Sequence, residues 1–229
     1  MTAFPFRIVG FDLDGTLLDT GDDLGIALNH VLASLGREPV PLGEVRSLIG
    51  GGARMLLERG LARTGGLPPH DELKPLHQQL IAFYRSNIAV HTRPYPGLET
   101  MLDDLAGRGV QLGVVTNKME ALAVPLLEEM GLASRFATIM GGDTLGPGRS
   151  KPAPDLLLEM SRRLGGGAMA YVGDTTFDSR AASAAGVPCV AVSFGFNDEP
   201  LESYGASAVI DHFDELVPVL QALAPVTAG

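Results

Sequence analysis

The sequence predicts an α/β fold: a parallel sheet covered on both faces by helices, with an all-helical segment inserted after the first strand. Two observations predict it. Beyond Gly97, short near-continuous apolar runs alternate with longer runs at helical spacing, the pattern of strands buried on both faces and joined by helices. Between about Gly21 and His91 the spacing is helical throughout, and no strand pattern interrupts it. On that division residues 1–20 and 92–229 form the α/β core, and residues 21–91 form a helical domain of their own.

The first strand is read from Phe6, Ile8, Val9 and Phe11, with Gly15 supplying the tight turn after it. Leu24, Ala27, Leu28, Val31, Leu32 and Leu35 then recur at helical spacing, Thr20 is placed to cap the start, and Gly36 stops the helix. A second helical piece is expected over 45–49, broken by Gly50-Gly51-Gly52 and resumed over 53–62. Leu76, Leu80, Phe83 and Tyr84 mark another, which ends before Arg93-Pro94-Tyr95-Pro96-Gly97. In the second part helices are expected around 98–108, 122–130, 154–164, 176–185 and 213–223, and strands over 111–115, 137–140, 168–172, 189–192 and 208–210.

A chain of 229 residues is long enough for one large domain or for a core carrying a smaller one. Its formal charge of -10 argues against nucleic acid or an anionic membrane as a general partner, since both present negative surfaces. An anionic substrate must then be drawn in by local cations and a metal. Met1-Thr2-Ala3-Phe4-Pro5-Phe6-Arg7 lacks a basic segment followed by a long apolar one, so no secretory signal is expected. The single cysteine, Cys189, lies in an apolar run and reads as core filling. With no internal disulfide possible, a reducing cytoplasm is the expected compartment, and the chain is expected as a monomer or homodimer. The five histidines lack metal-ligand spacing.

Four motifs stand at the ends of expected strands, where ligands of such sheets bind. After the first come Asp12 and Asp14. Two carboxylates held together repel unless a cation sits between them or one keeps its proton, and hydrolysis at a phosphate needs both arrangements. A calcium loop also begins Asp-x-Asp, but it wants glycine sixth and glutamate twelfth, where this chain has glycine fourth and Asp23 twelfth. After Val114-Val115 come Thr116-Asn117-Lys118, in which Thr116 offers a hydroxyl and the following amides are expected at a helix start. Lys151 precedes the helix near Pro154 and can neutralise a phosphate together with an attacking carboxylate. After Tyr171-Val172 come Asp174, suited to an oxygen cage for magnesium, and Asp178, suited to accept from a metal-bound water or to orient Lys151. Singly, each residue has an ordinary explanation as a cap or a surface charge. Together, the ordinary account requires four coincidences at one edge of one sheet.

These residues resemble the four signature motifs of the haloacid dehalogenase superfamily of aspartate-nucleophile phosphatases, over nearly the whole chain. The resemblance implies a Rossmann-like parallel-sheet core of that type, with the helical insertion as a cap domain between motif one and motif two. It implies that Asp12 attacks phosphorus to form an aspartyl phosphate, and that Asp14 protonates the leaving oxygen and later deprotonates water. Mg²⁺ would be bound by Asp12 and Asp174 directly, by the backbone carbonyl of Asp14, and with Asp178 in support, while Thr116, Asn117 and Lys151 hold the transferring group. Dehalogenases need no acid at position 14, so Asp14 speaks for phosphate esters.

Within the superfamily, Ile49-Gly50-Gly51-Gly52-Ala53, Tyr95-Pro96-Gly97, Thr116-Asn117-Lys118 and Ser193-Phe194-Gly195-Phe196 resemble the phosphoglycolate phosphatase branch. That branch often has a polar residue where Gly51 stands. The expected partner is thus a small phosphorylated metabolite, most simply 2-phosphoglycolate. Gly51 and Gly52 would allow close backbone approach to it, and Arg54 would clamp its carboxylate. A phosphatase for sugar phosphates, nucleotides or pyrophosphate, a phosphomutase, and a non-catalytic binder of phosphometabolites are the alternatives.

Overall fold

The computed structural model describes residues 4–223; residues 1–3, part of the N-terminal segment read for a signal, and 224–229 lie outside the described residues. The elements in chain order are β1 (Ile8–Phe11), β2 (Leu18–Asp19), α1 (Gly21–Ser34), α2 (Leu42–Val45), α3 (Ala53–Arg63), α4 (His70–Ser86), β3 (Arg93–Pro94), α5 (Leu98–Gly107) and β4 (Gln111–Val115). They continue with α6 (Glu120–Glu129), β5 (Thr138–Met140), α7 (Asp155–Arg163), β6 (Met169–Gly173), α8 (Thr176–Ala185), β7 (Cys189–Val192), β8 (Ala208–Ile210) and α9 (Leu216–Ala222).

Six strands form one sheet in the order β5-β4-β1-β6-β7-β8, and every pairing is parallel. The apolar run of β1 is buried at all four positions because helices cover both faces of the sheet. On one face Val9, Phe11, Leu102, Leu126 and Leu216 pack together; on the other Ile8, Met160, Tyr171 and Ala182 do so. The chain runs outward from β1 through β4 to β5, then crosses back to β6 on the other side of β1. That reversal opens a crevice at the carboxyl end of β1, the place where a ligand enters an open α/β sheet.

Helices α1 to α4 share a second apolar cluster, with Leu28, Leu32, Leu56, Leu61, Leu80 and Tyr84 at its centre. Leu122 and Phe196 reach it from the sheet side. Its two connections to the core run side by side as an antiparallel ribbon, Leu18 against Pro94 and Asp19 against Arg93. That ribbon was not expected, since two residues a side are too few to show a period. Asp23, at the start of α1, fastens the same junction. Its carboxylate accepts from the amides of His91 and Thr92 and from the Thr92 hydroxyl, at 2.8–3.0 Å.

Three local expectations are corrected. The helical piece expected over 45–49 is instead Leu42–Val45 followed by a 3-10 turn, Arg46–Leu48, because Pro41 starts the helix early and Ile49 is extended. Thr20 does not cap α1 with its side chain; its hydroxyl is spent on Asp14. Helix α6 begins at Glu120, so the amides after Thr116 belong to a loop and not to a helix start. No helix among the described residues is long and apolar enough to cross a membrane.

Candidate active site

The site is assembled at the carboxyl ends of β1, β4 and β6 and in the loop before α7. Gly15 makes this possible at the first. Its φ of +85° lies in the left-handed region, and a Cβ there would stand 2.2 Å from Asp174 Oδ2. The turn can therefore bring the carboxyl of Asp174 against the backbone beside Asp12 and Asp14.

Asp12 extends the β1 ladder by one bond, its amide donating to the Val172 carbonyl at 2.9 Å. Its Oδ1 stands 2.9 Å from Lys151 Nζ but receives no hydrogen bond. The directed contacts of the ammonium go elsewhere, to Asp178 Oδ1 at 2.6 Å and to the Tyr171 hydroxyl oxygen at 3.1 Å. Tyr171 in turn donates to the Val115 carbonyl at 2.6 Å, which fixes Lys151 between two strands. Burial pushes the Asp12 carboxyl up to about 7 against the pull of Lys151. For Lys151 burial acts against the charge, but Asp12 and Asp178 outweigh it and hold the ammonium above the ordinary lysine value.

Asp174 is fully buried. Its Oδ1 accepts from the Thr16 hydroxyl and its Oδ2 from the Phe196 amide, each at 2.8 Å. Burial, then the neighbouring charges of Asp178 and Asp12, raises its pKa well above the ordinary carboxylate value. Asp178 stands at the third position of α8, where its Oδ2 accepts from the Thr175 amide at 3.0 Å. One oxygen from each of Asp12, Asp174 and Asp178 lies within 4.8 Å of the others. Three buried carboxylates with only one lysine in contact, and one oxygen without a donor, fit a hard divalent cation such as Mg²⁺. Asp178, with donors on both oxygens, has the least left to give it.

Asp14 is engaged differently. Its Oδ1 accepts from Thr20 at 2.7 Å and from Lys118 Nζ at 2.8 Å, and its Oδ2 lies 3.0 Å from the same ammonium. Lys118 is only 6% exposed and sits 4.5 Å from the centre of the Tyr84 ring. Thr116 is buried at the end of β4, its amide donating to the Met140 carbonyl at 3.0 Å and its hydroxyl oxygen accepting from the Lys118 amide at 3.2 Å. Asn117 joins the helical insert to the core, its amide group donating to the carbonyls of Gly50 at 3.2 Å and Lys151 at 3.0 Å.

Asp12, Asp14, Thr116, Asn117 and Lys118 form the floor of one cavity, and Leu24, Ile49, Gly50, Gly52, Leu56 and Tyr84 are among its roof residues. Gly52 belongs there for a physical reason: its φ is +85°, and a Cβ would stand 3.0 Å from the Asn117 carbonyl oxygen. Gly51 faces away, toward Met55 and an adjoining groove. Arg54 is not brought to Asp12. It pairs along α3 with Glu58 at 2.8 Å, and its side chain is 64% exposed outside the cavity. A side chain one turn from a carboxylate of its own helix finds that partner first.

In the sequence Lys118 stands within a motif with no role of its own, and nothing singles out Tyr84, Thr16 or the Phe196 amide as functional. For Lys118 a signal existed, a cation directly after an apolar strand. Tyr84 carried none, since its helical spacing is that of any core residue.

The chain matches the family described as haloacid dehalogenase-like hydrolase over residues 9–192. It is 41% identical over 223 residues to the phosphoglycolate phosphatase of Agrobacterium fabrum, covering 96% of this chain and 95% of that one. To the phosphoglycolate phosphatase of Caulobacter vibrioides it is 40% identical over 207 residues, covering 90% and 86%. A crystal structure described as a predicted phosphoglycolate phosphatase from Haemophilus somnus 129PT superposes with a TM-score of 0.87 at 29% identity, over 94% of this chain and 98% of that one.

Proposed function

Since this chain belongs to the haloacid dehalogenase-like hydrolase family and is one of its phosphatases, we propose that it hydrolyses 2-phosphoglycolate to glycolate and phosphate through a phosphoryl group carried on Asp12. The observation that supports it most is Asp12 itself, a buried carboxylate just past the end of β1 that lines the cavity, with its Oδ1 2.9 Å from Lys151 Nζ. A carboxylate that faces the cavity beside a fixed ammonium is placed to form a bond to phosphorus. Lys151, held by Asp178 and Tyr171, offsets negative charge as the bond forms without having to move. Thr116 presents its hydroxyl from the end of β4 to the transferring oxygens. Asp14 gives a proton to the leaving glycolate oxygen and takes one from the water that releases phosphate from Asp12. Asp12 and Asp174, with Asp178 behind them, would hold Mg²⁺, which when bound supplies positive charge to neutralise the phosphoryl oxygens.

Phosphoglycolate is favoured among small phosphate esters by the relatives, two of which, at 40–41% identity, are phosphoglycolate phosphatases. The expected result of a panel of phosphorylated metabolites is release of inorganic phosphate that depends on Mg²⁺, needs no sugar acceptor, and is fastest with 2-phosphoglycolate. Equal release with a chelator present would remove the metal from the scheme. Release only when a sugar is added would make the enzyme a mutase.

A further inference from the structure

We propose that Lys118 and Tyr84 form the subsite for the carboxylate of the substrate, and that this pair, not Arg54, sets the preference for an acidic leaving group. The inference rests on the phosphoglycolate reading and assigns its specificity to named side chains.

The cavity above Asp12 needs a cation for a second anion, and Lys118 is the only one among its lining residues. Lys151 lies deeper, with Asp12, Asp178 and Tyr171 around its three protons. The other polar roof group is the Tyr84 hydroxyl. Tyr84 is 1% exposed, lines the cavity, and its hydroxyl has no hydrogen-bond partner. A buried hydroxyl left unpaired is costly, and beside a cavity a ligand is the simplest partner. Lys118 Nζ makes two contacts with Asp14 and stands 4.5 Å from the centre of the same ring, so ammonium and hydroxyl sit together at one edge of the cavity.

Position agrees with chemistry. In a phosphorylated hydroxy acid of two carbons, the carboxylate is joined through one carbon to the ester oxygen that Asp14 must protonate. A group that touches both Asp14 and the cavity is therefore where that carboxylate has to lie. Lys118 alone does so among the cations, at 2.8 Å from Asp14 Oδ1. A purely structural partner for Asp14 need not be an ammonium, since Thr20 already donates to the same oxygen and burying a charge is costly. Lys118 comes from the end of β4 and Tyr84 from α4, so the subsite is complete only where the helical insert meets the core. The rest of the roof, Leu24, Ile49, Leu56, Leu80 and Ile81, is apolar and strengthens any ion pair it covers.

The test compares 2-phosphoglycolate with ethyl phosphate, which has the same carbon count and a methyl group in place of the carboxylate. In the wild type kcat/KM should favour 2-phosphoglycolate. Lys118→Gln should shrink that preference by about 10- to 100-fold, chiefly through KM for 2-phosphoglycolate, as loss of one charged hydrogen bond would. Tyr84→Phe should shrink it by about 3- to 10-fold, and Lys118→Arg should restore part of it. A role confined to positioning Asp14 would instead lower kcat on both substrates alike, and that outcome overturns the inference, as does a preference that follows Arg54→Ala. Should Lys118→Gln fail to fold, Tyr84→Phe decides, since it removes only the hydroxyl and keeps the ring. A wild type with no preference overturns the phosphoglycolate reading itself; a preference that survives both variants overturns the subsite alone.

Discussion

Asp12 is a buried carboxyl group at the edge of the cavity, and the reactivity proposed for it follows from its neighbours. Every other oxygen of the four acidic side chains of the site bar its partner Oδ2 has a donor, whereas Asp12 Oδ1 has only the charge of Lys151 nearby. Asp12→Asn keeps the shape and removes the charge proposed to attack phosphorus. Phosphate release should fall by on the order of 10⁴-fold or more, with the circular-dichroism spectrum and melting transition retained. A variant that keeps a rate near the wild type would show that another group attacks phosphorus. At this scale the sequence was legible for residue types but not for pairings. Asp12, Asp14, Lys151 and Asp174 stand out as polar residues beside apolar strands. Arg54 and Lys118, both cations near glycine or threonine motifs, differ only in the direction in which a side chain leaves the backbone. That direction depends on a helix face for one and a strand end for the other.

Among the elements, the junction of the helical insert and the sheet is fastened by a single carboxylate. Asp23 in the first turn of α1 receives two amides and a hydroxyl from His91 and Thr92, so it ties the outgoing connection to the returning one. Arg46 adds a bond to Asp19 at 2.7 Å across the same junction, with its guanidinium over the Phe196 ring. Asp23→Ala leaves the buried amide and hydroxyl of Thr92 without an acceptor, along with the more exposed amide of His91, and should cost about 2–3 kcal/mol in urea denaturation. If the loss is below about 0.5 kcal/mol, the staple is ornamental and the junction is held by apolar packing alone. The strands and most helices were legible because burial on both faces forces continuous apolar runs. The ribbon Leu18–Asp19 with Arg93–Pro94 was not, because a pairing across more than seventy residues leaves no local pattern.

For the whole molecule, a formal charge of -10 and a buried acidic cluster set how stability responds to pH and metal. Asp12 titrates near 7 when folded against 3.8 as its ordinary value, chiefly through burial, and Asp174 is raised in the same direction. The folded, metal-free chain therefore holds protons that the unfolded chain releases, so its stability falls as pH rises from about 3.8 through about 7. A divalent cation competes with those protons. Mg²⁺ fixed at a hundredfold excess over its Kd at pH 8 should stabilise the fold by about 2.7 kcal/mol at that pH, and the same concentration by clearly less at pH 5, in thermal melts with and without the ion. Equal shifts at both pH values would mean that the ion binds elsewhere. Sequence by itself determined the α/β class and the acid and lysine motifs at the strand ends, because these follow from which residues water must be kept from. Only the tertiary structure decided that Asp14 is paired with Lys118, that Tyr84 roofs the cavity and that Arg54 stands outside it. Those facts are distances between residues far apart in the chain, and no local pattern records a distance.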